Sequence, residues 1–278
     1  MQDGRFFKTE RIHTGMSRFC PLFSGSSGNC TYIGSSGGGI LVDVGVSAKR
    51  IETALCVRSI DPRSISAIFV THEHCDHIAG LRVLIKRYGY KVYGSIGTVE
   101  ALLDDGVITC LDRFEIMDMP SVEESGMSVR AFATSHDSRQ STGYRVSMPD
   151  GRTIAVATDT GCVNEEIRAA MSGCDLVLIE SNYDTDMLRN GSYPYYLQRR
   201  ISAKTGHLSN VCCAAELPGL AQSGVTRFFL GHLSKENNIP RLAFDTAFKS
   251  LTDAGLRYNK DFILNVAPRG DEAPVMVL

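Results

Sequence analysis

The sequence predicts an α/β fold, and three features carry that expectation. Apolar runs of strand length recur along the chain, helix-length segments fall between them, and several of the runs end in a histidine or an aspartate. Strands that alternate with helices stack into sheets, and ligands in such folds gather at one edge, outside the strand ends. With 278 residues and 43% hydrophobic content, the chain can bury a large core without a second domain. No internal repeat or low-complexity tract interrupts it.

Taken in order, residues 1–15 are polar and irregular and read as an N-terminal extension, with a single domain over 16–278. Small residues over 24–29 let the backbone come close to a ligand, although a plain loop reads equally well. Strands over 30–34 and 40–45 flank Ser35-Ser36-Gly37-Gly38-Gly39, which reads as a turn. A phosphate cradle would need a following helix with Lys-Ser/Thr, and none follows. Helices are expected over 48–58, 78–88, 98–103, 165–171, 210–222 and 241–254. The apolar run Ala67-Ile68-Phe69-Val70 is a buried-type strand, and the segments 129–135, 153–158, 176–179 and 226–231 read as further strands.

The densest chemistry follows Val70, in Thr71-His72-Glu73-His74-Cys75-Asp76-His77. In extended chain, side chains at i and i+2 share a face, so His72 and His74 can bind one ion together. A helix starting at Asp76 would turn Asp76 and His77 toward a second ion. The chain has only seven histidines, and three of them crowd into the six positions from His72 to His77. Other donors end other strands: His136 after 129–135, Asp159 after 153–158 and His232 after 226–231. Together they complete two coordination shells. His72, His74 and His136 would hold one metal, Asp76, His77 and His232 the other, and Asp159 would bridge. Asp43, after Ile40-Leu41-Val42, is placed to orient a ligand histidine from behind.

Two ions so held would lower the pKa of a bound water from about 15.7 toward roughly 7, supplying hydroxide at neutral pH. Asp76 would orient that hydroxide as well as bind its metal. The donor set accepts Zn, Mn or Fe. A net charge of −2 is no basic footprint, so a nucleic-acid substrate would be held by the metals and by local cations. Arg199, Arg200 and Lys204 form one basic run, and Tyr193, Tyr195 and Tyr196 beside it either stack on bases or belong to a solvated helix with its aromatics in the core. Nine cysteines without regular spacing fit reduced thiols in a cytoplasm rather than a disulfide framework. Cys75 reads as a small filler between ligands, and Cys212 and Cys213 as helical neighbours facing different ways. No run of membrane-spanning length and no secretory h-region is present, so neither a membrane association nor export is expected.

The pattern H-x-H-x-D-H, followed by His, Asp and His, resembles the metallo-β-lactamase fold hydrolases. Phe23-Ser24-Gly25-Ser26-Ser27-Gly28-Asn29, Glu180-Ser181-Asn182-Tyr183-Asp184 and Gly206-His207-Leu208-Ser209-Asn210 narrow the similarity to the YycJ/WalJ-like branch. The resemblance implies an αββα four-layer sandwich, two divalent ions and 5′-to-3′ exonuclease action on DNA. It also implies a proton donor for the leaving 3′-oxygen in His207, which matches the His-Ser-Thr segment of tRNA 3′-processing relatives. Ser209 and Asn210, with the first amides of the helix they open, would then grip a phosphate, and Ser26 and Asn29 would flank the metals. The alternative for Ser209 is a plain helix cap. A thioesterase of the glyoxalase II type, another small-ester hydrolase or an RNA-directed nuclease could use the same centre. The segment 160–231 is too short for the inserted domain of the β-CASP nucleases.

Overall fold

The computed structural model describes residues 15–109, 113–117, 121–270 and 273–278. The expected N-terminal extension, apart from Gly15, lies outside the described residues. The strands are β1 (Arg18–Phe23), β2 (Cys30–Ser35), β3 (Gly38–Val42), β4 (Ile65–Phe69), β5 (Lys91–Gly94), β6 (Phe114–Ile116), β7 (Val122–Glu124), β8 (Met127–Ala133), β9 (Thr142–Ser147), β10 (Thr153–Ala157), β11 (Leu176–Glu180), β12 (Arg227–Gly231), β13 (Ile263–Val266) and β14 (Met276–Val277). They form two sheets, ordered β14-β1-β2-β3-β4-β5-β6 and β13-β12-β11-β10-β9-β8-β7. In each, antiparallel pairs give way to a parallel set, β3 to β6 in one and β10 to β13 in the other.

Side chains alternate between two cores along these strands, as the pleat requires. Ile40, Val42, Ala67 and Phe69 of the first sheet face Val129, Tyr144, Val156, Leu178 and Phe229 of the second. Leu41 and Ile68 point the other way, onto α1 (Ala48–Val57), α2 (Cys75–Ile78), α3 (Leu81–Tyr88) and α4 (Ile96–Asp104). Val177, Ile179, Phe228 and Leu230 likewise turn outward, packing with residues of α5 (Glu165–Met171), and beyond α6 (Thr185–Asn190) and α7 (Tyr195–Ile201) with α8 (Asn210–Gln222) and α9 (Pro240–Asp253). The architecture is therefore an αββα sandwich. Parallel strands covered on both faces read as continuous apolar runs, which is why β4, β10, β11 and β12 are legible in the sequence.

The sheets are stitched together just below the histidine motif. Phe69 stacks on Tyr93 at 4.8 Å and meets the ring of Tyr144 edge-on at 5.4 Å. The Tyr144 hydroxyl donates to the Val70 carbonyl at 2.6 Å, and the Thr142 amide to the Thr71 carbonyl at 3.0 Å. The chain therefore leaves β4 in a fixed direction.

Several elements depart from the sequence expectation. The helix expected over 78–88 divides into α2 and α3, because Gly80 gives its amide to the Val44 carbonyl at 2.8 Å instead of continuing a helix. The strand expected over 40–45 stops at Val42, where Asp43 turns the backbone left-handed with φ 59°. The turn between β2 and β3 is as expected but tighter, with Ser35 directly opposite Gly38. Of the two readings open for the tyrosine segment, the one that buries its aromatics fails for Tyr195 and Tyr196. Both lie on α7 and are exposed. No helix among the described residues is long and apolar enough to cross a membrane.

Candidate metal centre

Three strands end in residues with left-handed backbone: Asp43 after β3, Asp159 after β10 and His232 after β12, with φ of 59°, 56° and 54°. Asp and His tolerate this region better than most residues, yet it remains costly and tends to mark functional sites. Buried hydrogen bonds hold it in place at His232, whose amide donates to Ser24 Oγ at 2.9 Å and whose carbonyl accepts from Asn182 Nδ2 at 2.8 Å. Each reversal turns a polar side chain back across the sheet edge toward the loop that follows β4.

There the donors converge in two overlapping groups. His72 Nε2 lies 3.0 Å and His136 Nε2 3.3 Å from His74 Nδ1, so three ring nitrogens face one point. Asp76, His77 and His232 gather at the other, with His77 Nε2 3.6 Å and His232 Nε2 3.8 Å from Asp76 Oδ2. Asp159 stands between them. Its Oδ1 is 3.7 Å from His136 Nε2 and its Oδ2 3.2 Å from His77 Nε2. Within each such group the candidate ligand atoms all lie within 4.8 Å of one another, a spacing that one ion can span.

What stands behind these rings fixes which nitrogen is offered. The Thr71 hydroxyl donates to Asp43 Oδ2 at 2.9 Å, which leaves its oxygen to accept from His72 Nδ1 at 3.0 Å. His136 Nδ1 donates to the Gly206 carbonyl at 2.9 Å, and His77 Nδ1 to Asp43 Oδ2 at 2.8 Å. All three turn Nε2 toward the cluster, the arrangement expected of a ligand histidine oriented from behind. Charge agrees with this. Burial, reinforced by the imidazoles around it, holds the pKa of His72 well below the usual histidine range, and burial lowers that of His136. Both rings are neutral and can donate a lone pair. Burial also opposes a charge on His77, but the Asp159 and Asp43 carboxylates overcome it and raise its pKa. Burial disfavours the Asp159 anion too, yet His232 and His77 hold it well below the carboxylate range. Neutral His72 and His136 and the ionised Asp159 are in the forms that bind divalent cations, and a cation at the second position would take the place of the proton that the carboxylates favour on His77 and His232, so the donor set fits two such ions.

His74, Asp76, His136, Asp159 and His232 floor a cavity of about 210 Å³, walled by Ser26, Asp137, Tyr193, Arg200 and His207, with His72 and His77 buried beneath it. A larger hollow of about 440 Å³ beside α5, lined by Arg130, Phe132, Arg145 and Glu166, contains none of the donor groups. His207 Nδ1 sits 2.7 Å from Glu180 Oε1 and 3.7 Å from Asp159 Oδ1. Burial works against its protonation, but the Glu180 carboxylate more than offsets that and pushes the pKa up to about 9. A histidine held by a carboxylate at Nδ1 has its other N–H free to donate.

Two substrate-binding expectations need correcting. Ser209 is buried, and its hydroxyl accepts from the Cys212 amide at 3.1 Å as the cap of α8, while the amide of Asn210 donates to the Tyr183 carbonyl. Asn210 is buried as well, bonded to Ser181 and Asn238. Neither lines the cavity, so the helix start holds the fold together here and offers no phosphate grip. Ser26 does line it, and Asn29 Nδ2 lies 3.1 Å from His77 Nε2 and 3.4 Å from Asp76 Oδ2. In the sequence Glu180 stands out only as the head of the family-like segment Glu180-Ser181-Asn182-Tyr183-Asp184, with no role assigned to its carboxylate. Its signal was present, since Leu176-Val177-Leu178-Ile179 runs straight into it. Asp137, which no sequence pattern singles out, pairs with Arg200 at 2.5 Å on the cavity wall.

The Beta-lactamase superfamily domain matches residues 39–233, a span that contains every donor named above. Exodeoxyribonuclease WalJ of Streptococcus pneumoniae is 36% identical over 248 residues, covering 88% of this chain and 92% of that protein. The chain belongs to the WalJ/YycJ branch of this superfamily. Exodeoxyribonuclease YycJ of Bacillus anthracis, 34% identical, covers the same shares of both chains. At the level of fold, the crystal structure of Zn²⁺-bound PqqB from Methylobacterium extorquens superimposes with a TM-score of 0.69 at 18% identity, over 94% of this chain and 100% of that one. The superfamily membership agrees with the sandwich and with a donor cluster at the strand ends.

Proposed function

We propose that this protein is a metal-dependent phosphodiesterase that removes nucleotides from the 5′ end of DNA, working in the cytoplasm. The observation that carries the reading is the convergence of seven donors in two trios with Asp159 between them, and His207 beside them on the cavity wall, held from behind by buried Glu180. The WalJ and YycJ names of relatives covering 88% of the chain supply the substrate class. His72, His74 and His136 would hold one divalent ion, and Asp76, His77 and His232 the other, with Asp159 shared. When bound, the two ions acidify water and stabilise negative charge building on phosphorus.

The residues of the chain do the rest. Asp76, with a side chain 21% exposed, reaches the cavity and can orient the attacking water through the same carboxylate that faces His77 and His232. As the water oxygen bonds to phosphorus, the bond to the leaving 3′-oxygen breaks, and His207 supplies the proton from Nε2. Glu180 keeps the imidazole charged and turned until then. Arg200, exposed at the rim and paired only with Asp137 among the described residues, suits a neighbouring phosphate. The test is a panel of 5′- and 3′-labelled DNA and RNA, single- and double-stranded, with Zn, Mn or Fe supplied to the protein. Release of label from 5′-labelled DNA supports the reading. Intact DNA alongside turnover of a thioester would refute it.

A further inference from the structure

Helix α7 faces the cavity with one side and solvent with the other. Leu197, Arg200 and Ile201 line the cavity wall, whereas Tyr195 and Tyr196 are 71% and 74% exposed. Two large aromatics side by side in solvent are unusual, and among the described residues nothing covers them. The Arg199 guanidinium lies 5.9 Å from the Tyr195 ring, a spacing that keeps the ring beside a positive charge. Lys204, also exposed, lies three residues beyond the helix. In a chain of net charge −2, this is a concentration of positive charge at the mouth of the site.

We propose that α7 is the surface along which a single strand of DNA leaves the metal centre, its bases stacking on Tyr195 and Tyr196 and its phosphates meeting Arg199 and Arg200. The proposal rests on the phosphodiesterase reading above and goes beyond it by naming the strand form and the surface. The cavity, about 210 Å³, is smaller than the roughly 300–1,000 Å³ of a drug-sized pocket. Only the reacting linkage and its nearest groups fit inside. The rest of the strand must lie on whatever adjoins the cavity, and α7 is continuous with its wall. A duplex hides the faces of its bases, but a single strand offers them. Stacking on an aromatic face is also tolerant of sequence, as an enzyme working through successive nucleotides requires.

Steady-state kinetics on 5′-phosphorylated single-stranded oligonucleotides tests this, using normal strands and strands made abasic beyond the first linkage. The Tyr195→Ala/Tyr196→Ala variant should raise KM on normal strands roughly 10- to 100-fold, as lost base stacking would. On abasic strands, variant and wild type should share one KM. Tyr195→Phe/Tyr196→Phe should behave as wild type, because the ring does the stacking. An unchanged KM on normal strands, or an equal rise on abasic ones, overturns the proposal. Wild-type protein that spares these single strands but shortens a 5′-phosphorylated duplex overturns this proposal alone, whereas protein that spares single strands and duplex alike yet hydrolyses a nitrophenyl phosphodiester overturns the DNA reading beneath it.

Discussion

His207 differs from the other imidazoles of the centre in what holds it. His72 and His136 lean on Thr71 and the Gly206 carbonyl, and His77 and His232 on Asp43 and Asp159, whereas His207 is paired with buried Glu180, which raises its pKa from outside the seven-donor set. His207→Ala should therefore keep both metals and slow DNA cleavage by roughly 10²- to 10⁴-fold, the range for a positioned general acid. The loss should shrink on a nitrophenyl phosphodiester, whose leaving group needs no proton. Lost metal, or an equal loss on both substrates, would make His207 a binding residue. A pH profile separates its partner. Because the Glu180 charge raises the pKa of His207, Glu180→Gln lowers it, and the rate should fall away at a lower pH than in wild type. An unmoved alkaline limb would detach Glu180 from the acid. Asp76→Ala and His232→Ala, by contrast, should each lose the second ion and nearly all turnover, as elemental analysis and rate measurements would record.

The metal-donor loop depends on close seating between elements. Gly45 lies under α2, and a Cβ added there would fall 1.6 Å from the Asp76 carbonyl oxygen. Gly45→Ala should displace α2, costing about 1–3 kcal/mol in denaturant unfolding as an overpacked site does. It should also weaken the second metal position, served by Asp76 and His77, more than the first. Retained stability with both ions bound would contradict that dependence. Elements of this kind were only partly legible in the sequence. The strands β4, β10, β11 and β12 could be read because burial on both faces leaves unbroken apolar runs ending in polar donors. That His136, Asp159 and His232 stand at strand ends on one edge was legible for the same reason. The break between α2 and α3 was not, since it comes from the bond of Gly80 to Val44, a contact between separate segments. Nor could local pattern tell that Ser209 and Asn210 are spent on capping α8 and on the Ser181–Asn238 network.

Across the whole molecule, the donors come from both halves of the sandwich. His72, His74, Asp76 and His77 follow β4 of one sheet, while His136, Asp159 and His232 follow strands of the other. Bound ions therefore tie the sheets together. Stripping them with a chelator should lower Tm by roughly 5–15 °C, the shift expected from losing tightly bound ligands in a chain of this size. A Tm indifferent to chelator would argue against resident metal. With a net charge of −2, few phosphates can be neutralised, so DNA binding should weaken only shallowly with added salt compared with a basic nuclease. The central claim, that two ions sharing Asp159 make this chain a DNA phosphodiesterase, is tested most directly by titrating zinc or manganese into metal-free protein while following release of the 5′-terminal nucleotide from labelled linear DNA. Activity should stay near zero through the first equivalent and rise as the second binds. Full activity at one equivalent, or none with two bound, would contradict it.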